Sequence, residues 1–183
     1  KWVDRSLAID PEDAHALTGD ATLKTLSGDL DGAVESADRA VARMPNFDEA
    51  WFVRGWIQML LGESAEAVRS LEHAMRLCPT VNAIKLGVLG TALRNAGRYE
   101  EAVQTFRRCL EHHPEFHFAH TSMAVVHGMQ GDLESARREV ARALEMDPTC
   151  TVRRFISPNL YRDKTVMDRC AEVLRRAGMP ESD

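Results

Sequence analysis

The chain has 183 residues, 44% of them apolar and 28% charged, with a formal charge of −5, a composition that supports a buried core of one or two domains. The acidic balance argues against nucleic acid, whose phosphates need a basic face, and no apolar run approaches the roughly 20 residues of a membrane span. The four cysteines, Cys78, Cys109, Cys150 and Cys170, form no CxxC pair and read as reduced thiols in a reducing, cytoplasmic compartment.

In chain order, Lys1-Trp2-Val3-Asp4 reads as amphipathic helix rather than as a secretory leader. Opening on Lys1 instead of Met suggests that further residues precede it. Residues 1–13 are expected to hold the second helix of a repeat whose first helix is absent. From there the sequence repeats itself, the first property to look for because it fixes the whole architecture. GDLDGAV from Gly28, GESAEAV from Gly62, GRYEEAV from Gly97 and GDLESAR from Gly131 stand in register, at spacings of 34, 35 and 34 residues. The extra residue falls in the loop after Pro79, where an insertion costs little.

Each unit follows one internal rule. An alanine comes five residues after the glycine, at Ala33, Ala67, Ala102 and Ala136. Seven further on stands another small residue, Ala40, Ala74, Cys109 or Ala143, and five beyond that a proline, Pro45, Pro79, Pro114 or Pro148. Small residues also precede each glycine by seven, at Ala21, Gly55, Gly90 and Ala124. Small side chains seven apart share a helix face and let a neighbouring helix come close. The glycine suits a left-handed cap on the first helix, and the proline ends the second. Helix pairs are expected in repeats at 14–47, 48–82, 83–116 and 117–150.

After Pro148 the pattern changes. Residues 151–163, TVRRFISPNLYRD, contain Pro158 and show no helical period. KTVMDRCAEVLRRAG then reads as a helix with Asp163 as its N-cap and Gly178 as its C-cap. Val166, Cys170, Val173, Leu174 and Ala177 form its apolar stripe. Residues 151–183 are therefore expected to be a linker and a capping helix, which a repeat array needs at its end.

The repeat resembles the tetratricopeptide repeat family, whose pattern is W-x2-L-G-x2-Y, A-x3-F and P over a period of 34. Here Leu86-x2-Leu89-Gly90-x2-Leu93, Ala102-x3-Phe106 and Pro114 follow it, and another unit keeps Trp51 and Gly55. The resemblance implies an all-α, right-handed superhelical solenoid of helix-turn-helix repeats that binds proteins without catalysing anything. The tail, ending Leu174-Arg175-Arg176-Ala177-Gly178-Met179-Pro180, is similar to the C-termini of bacterial multidomain proteins. In those, such an array follows a class III adenylate or guanylate cyclase domain or a winged-helix regulator domain. No cyclase catalytic residue lies in this chain.

By register, the family's ligand-contacting positions fall here on Phe52, Trp56, Met59, Arg94, Asn95, Phe118, Val125 and Met129 among others. Thr18 and Thr22 stand where a clamp for a chaperone's C-terminal carboxylates would need basic or amide side chains. What the register leaves is an apolar patch of Phe52, Trp56, Met59, Phe118, Val125 and Met129. It is expected to take a protein or peptide ligand or a second copy in a homodimer, unless residues 151–163 or an upstream part cover it. No nucleic acid, membrane or cofactor is implied.

Two features compete with this reading. The first is HHPEFHFAH, His112 to His120, with four histidines in nine residues. Pro114 breaks the helix that would align His113 with His117, and HFAH lacks the glutamate and the spacing of HExxH. His120 stands where the family has Trp and His127 where it has Tyr, so both are explained as packing side chains with hydrogen-bond partners such as Thr121 or backbone carbonyls. No metal is expected. The second is the polar pair Asp20 and Lys24, with Arg54 and Gln58 one repeat later, in positions the family gives to Leu and Tyr. Asp20 and Lys24 are four apart and can pair, and stacking is expected to bring Asp20 near Arg54.

Overall fold

The computed structural model describes residues 2–80, 82–156 and 160–182, and among them every regular element is an α-helix. In order they are α1 (Trp2–Ile9), α2 (Ala14–Ser27), α3 (Leu30–Arg43), α4 (Asp48–Leu61), α5 (Ser64–Leu77), α6 (Ala83–Asn95), α7 (Tyr99–His112), α8 (His117–Met129), α9 (Leu133–Met146), α10 (Val152–Ile156) and α11 (Thr165–Arg176). The chain divides into two compact units, residues 1–80 and 81–183. In the first, α2 pairs with α3 and α4 with α5; α1 lies on α2, and α4 packs on both helices of the preceding pair. In the second, α6 pairs with α7 and α8 with α9, α8 packs on α6 and α7, and α11 lies against α8, α9 and α10.

The hairpins arise from capping chemistry. At the end of α2, Gly28 turns left-handed at φ 86° and its N–H reaches Thr25 O, while Asp29 N–H reaches Lys24 O at 2.9 Å. These bonds satisfy carbonyls that the helix end would leave orphaned. Only a residue without Cβ takes that φ freely, and the same turn recurs at Gly62, Gly97, Gly131 and Gly178. Asp29 and Asp132 then cap the next helix, accepting from Gly32 N and Ser135 N.

The face where the two helices of a pair meet is built from the small residues. Ala33, Ala67, Ala102 and Ala136, and Ala40, Ala74, Cys109 and Ala143, are all buried. Opposite them the two helices trade volume. Gly55 lies under Leu71 and Gly90 under Phe106, whereas the equivalent positions in the outer repeats pair Ala21 with Ala37 and Ala124 with Val140. A glycine on the first helix thus goes with a large side chain on the second, and an alanine with a smaller one.

Two expectations need correction. Residues 151–163 are not free of helix: Val152–Ile156 form the short α10. Its first turn is satisfied from outside, because Val152 N–H donates to Pro180 O at 2.8 Å and Arg153 N–H to Glu181 O at 3.0 Å, while Arg154 N–H donates to Thr151 Oγ1. Periodicity cannot foresee a helix held by a distant tail. Asp163 is also not the cap residue itself. Lys164 occupies that place without a side-chain bond, and Asp163 Oδ1 accepts from Thr165 N and Oγ1 one position earlier. Pro158 lies outside the described residues.

The volume trade predicts the effect of one methyl group. On an open helix, Gly to Ala gains about 1 kcal/mol. At Gly90 an added Cβ would lie 2.6 Å from Phe106 Cε1, and Phe106 is wholly buried with nowhere to move. Overpacking of this kind costs about 1–3 kcal/mol. Gly90→Ala should therefore lower the urea midpoint; an unchanged or raised midpoint would show that the close approach is not required.

Candidate functional site

The register positions along the first helices do not form one open apolar patch. In the first unit Phe52 and Met59 are buried, 9% and 5% exposed, and Trp56 is half-buried. In the second unit the patch is covered by the chain's own C-terminal part. Val125, wholly buried, shares a cluster with Val152, Cys170, Leu174 and Met179, and Met129 packs against it. Phe118 stacks on Phe155 with ring centroids 5.8 Å apart and 21° between planes. The expectation of an exposed surface at Phe52, Met59 and Val125 is thus corrected. Of residues 151–163, Val152 and Phe155 take part in the cover on α8, while Cys170, Leu174 and Met179, from α11 and the tail beyond it, supply the rest.

Arg94 and Asn95 are likewise engaged. Arg94 is buried, at 2% exposure, and its Nε and Nη2 donate to Asn95 Oδ1 at 3.2 and 3.0 Å. Asn95 Nδ2 donates to Tyr161 Oη at 3.1 Å. Arg94 Nη1 finds no hydrogen-bond partner among the described residues. Burial pushes the Tyr161 hydroxyl above its ordinary range, so it stays neutral and can accept from Asn95. Sequence reasoning placed these two residues on the surface because nothing in the repeat register announces Tyr161.

The polar pairs are explained by one serine per repeat. Ser36 donates to Asp20 Oδ2 at 2.5 Å and accepts from Lys24 Nζ at 3.0 Å, and Lys24 pairs with Asp20 at 2.8 Å. Thirty-four residues on, Ser70 donates to Gln58 Oε1 at 2.7 Å and accepts from Arg54 Nη1 at 3.3 Å. Burial pushes the Asp20 carboxyl up, but its bonds to Lys24 and Ser36 outweigh this and hold it below the usual range. Arg54 is paired with Asp38 at 2.6 Å, not with Asp20 as expected, because Asp38 on α3 faces α4 directly.

The histidine run is dispersed. His120 is held by Glu139, Nδ1 to Oε2 at 2.6 Å, with both side chains 13% exposed. Glu139, not Thr121, is the partner that its burial demands. His113 lies 3.7 Å from Glu115. His117 points elsewhere, with Nε2 3.7 Å from Asp147 Oδ2. His117, Asp147 and Cys150 come together at one wall of a cavity of about 230 Å³, whose other walls include Phe118, Thr121, Arg154, Phe155 and Met179. The sequence reading missed Asp147 and Cys150. The antiparallel hairpin could have revealed them, since it sets the start of α8 beside the end of α9.

Known proteins bear on this architecture. The family model described as tetratricopeptide repeat matches residues 27–81 and 88–149. Tetratricopeptide repeat protein 33 of Xenopus laevis is 35% identical over 79 residues, 43% of this chain, and the chain spans only 30% of that relative's length. Among solved structures, YrrB, described as a tetratricopeptide protein with an unusual peptide-binding site, aligns over 96% of this chain and 93% of its own at 20% identity and TM-score 0.68. The type IV pilus biogenesis factor PilW aligns over 96% of this chain and 79% of its own at 20% identity and TM-score 0.77. MamA from Desulfovibrio magneticus RS-1 aligns over 80% and 82% at 18% identity and TM-score 0.71. At these identities the structures speak to the fold alone.

The His120–Glu139 bond carries a pH prediction. Burial pushes Glu139 up, but the hydrogen bond and charge of His120 and the charges of Arg142 and His127 hold it below the ordinary value. A carboxyl depressed on folding adds stability above its unfolded pKa and loses it as pH falls through the folded one. Glu139→Gln should cost about 1.5–3 kcal/mol at pH 7, the range for a hydrogen bond to a charged group. The gap from wild type in urea titrations should begin to narrow as pH falls through about 4, the ordinary glutamate range, and close only below the depressed folded pKa. A gap that persists unchanged in acid would mean that the carboxylate charge plays no part.

Proposed function

The chain belongs to the tetratricopeptide repeat family, and on that premise we propose that it is a non-catalytic scaffold for a protein or peptide partner. It serves as the C-terminal regulatory array of a larger bacterial, cytoplasmic signalling protein such as a class III adenylate cyclase. The observation that carries the scaffold reading is the occupied face of α6 and α8. A surface whose apolar and amide groups already receive a polypeptide, through Phe155 on Phe118 and Tyr161 on Asn95, has the chemistry to receive another. YrrB, with its named peptide-binding site, supports the same class of ligand. The regulatory context rests on the wording of the tail, Leu174 to Pro180. Among the described residues no helix is long and apolar enough to cross a membrane.

In the first unit the surface for a partner centres on Trp56. Trp56→Ala should release a partner captured by cross-linking while leaving helical circular dichroism intact; loss of helicity would make Trp56 a core residue and end this reading. Sequence upstream of Lys1 that encodes no signalling domain would replace the regulatory context with that of a free-standing adaptor.

One observation favours self-association as a second reading. Gly19, Leu23 and Leu26 form one stripe of α2. Leu23 and Leu26 are 55% and 58% exposed, and Trp2, 62% exposed, reaches over Gly19. Exposed apolar surface of this kind marks contact sites. Sedimentation should show a concentration-dependent dimer that the double substitution Leu23→Glu, Leu26→Glu dissociates. A wild-type protein monomeric at every concentration would exclude it.

A further inference from the structure

We propose that His117, Asp147 and Cys150 form a binding site for a borderline divalent transition-metal cation of the zinc class. The three come from the two ends of one hairpin: His117 opens α8, Asp147 caps α9, and Cys150 follows in the turn. Their ligand atoms all lie within 4.8 Å of one another. Around a tetrahedral zinc, bonds of about 2.0–2.3 Å put neighbouring ligand atoms about 3.3–3.8 Å apart. The His117 Nε2 to Asp147 Oδ2 separation, 3.7 Å, is already in that range. Cys150 Sγ needs to move inward by at most about 1 Å, within reach of a χ1 adjustment on a half-buried side chain.

The donor set suits the ion. Imidazole, carboxylate and thiolate are the zinc ligands of proteins, and three protein ligands with an open fourth position make a site that keeps a water. The cavity supplies that position. Asp147 is already oriented for the task, since its Oδ1 accepts from Thr149 N at 2.9 Å and Thr149 Oγ1 at 2.6 Å, leaving Oδ2 toward His117. Such outer bonds fix a ligating carboxylate. Binding breaks the Cys150 S–H bond and releases one proton to solvent, giving two negative ligands against the dication. One group opposes it: Arg154 Nη1 lies 3.8 Å from Asp147 Oδ2. Arg154 Nη1 also donates to Thr149 O at 2.7 Å and to Thr149 Oγ1, and at 55% side-chain exposure it can exchange these contacts for water. A bound cation would pin the start of α8 to the turn leading into the segment that covers it.

The test is isothermal titration of untagged, reduced protein with Zn²⁺ alone, followed by Co²⁺ absorption spectroscopy. One ion per chain is expected, with a thiolate-to-cobalt charge-transfer band. His117→Gln, Asp147→Asn and the near-isosteric Cys150→Ser should each weaken Zn²⁺ binding by about tenfold or more, and Cys150→Ser should abolish the band. Arg154→Gln should tighten binding, because it removes a like charge, and His120→Ala should leave it unchanged. His117 is 42% exposed, so its variant keeps the fold, which circular dichroism verifies. Absence of saturable binding overturns the proposal. So does Zn²⁺ binding that survives Cys150→Ser undiminished, or a cobalt spectrum without a thiolate band, since the ion then sits on other histidine–carboxylate pairs.

Discussion

The structure depends on how closely two helices of a hairpin can approach. With small residues facing each other, backbones come near enough for second-helix side chains to reach across the first helix. Gly55 under Leu71 and Gly90 under Phe106 show the limit: a Cβ at either glycine would fall within 3 Å of the opposing side chain. The pairing of glycine with a large partner and alanine with a smaller one keeps the interior filled, as close packing requires. Cys109 replaces an alanine in the same row and stays wholly buried, its thiol directed to the carbonyl of Ala83 at 3.7 Å. It is therefore a packing residue, and burial raises its pKa beyond that of a ready nucleophile.

A second position shows how the repeats tolerate polar substitution. Ser36, Ser70, Thr105 and Glu139 occupy one register on the second helices. Where the first helix carries polar side chains, at Asp20 and Lys24, Arg54 and Gln58, or His120, this residue bonds to them. In the repeat with Leu89 and Leu93, Thr105 turns back to the carbonyl of Glu101 on its own helix. At these positions the polar side chains of the first helix meet a partner across the hairpin, and the cost of leaving them unsatisfied is avoided. The departures from the family pattern are local exchanges of an apolar contact for a hydrogen-bonded one.

The helix pairs were legible because their causes are local: glycine at a fixed place, alanines seven apart, proline after the last turn. The volume trade was half legible, since the glycines and Phe106 stood out but nothing in the pattern said that Leu71 and Phe106 lie over Gly55 and Gly90. What the sequence could not convey was long-range. Tyr161 meets Asn95 across 66 residues, and Phe155 covers Phe118 with no periodicity to suggest it. The partners of the histidine run were hidden for the same reason. Neighbours in sequence, His113, His117 and His120, face three different carboxylates, Glu115, Asp147 and Glu139.

The way the tail is tied has a consequence for how the second unit opens. Carbonyls of Pro180 and Glu181 accept the first N–H groups of α10, and Arg175 holds Glu181 by two bonds. The start of α10 and residues 180–181 are thus tied together, and α11 lies on α8 and α9. The first amides of α10 are satisfied by the tail, whereas in the first unit α1 is held by its packing on α2 and by Leu7 against Leu17, Ala40 and Ala50. Opening the second unit at this end therefore requires the bonds to Pro180 and Glu181 and the packing of α11 to be lost together.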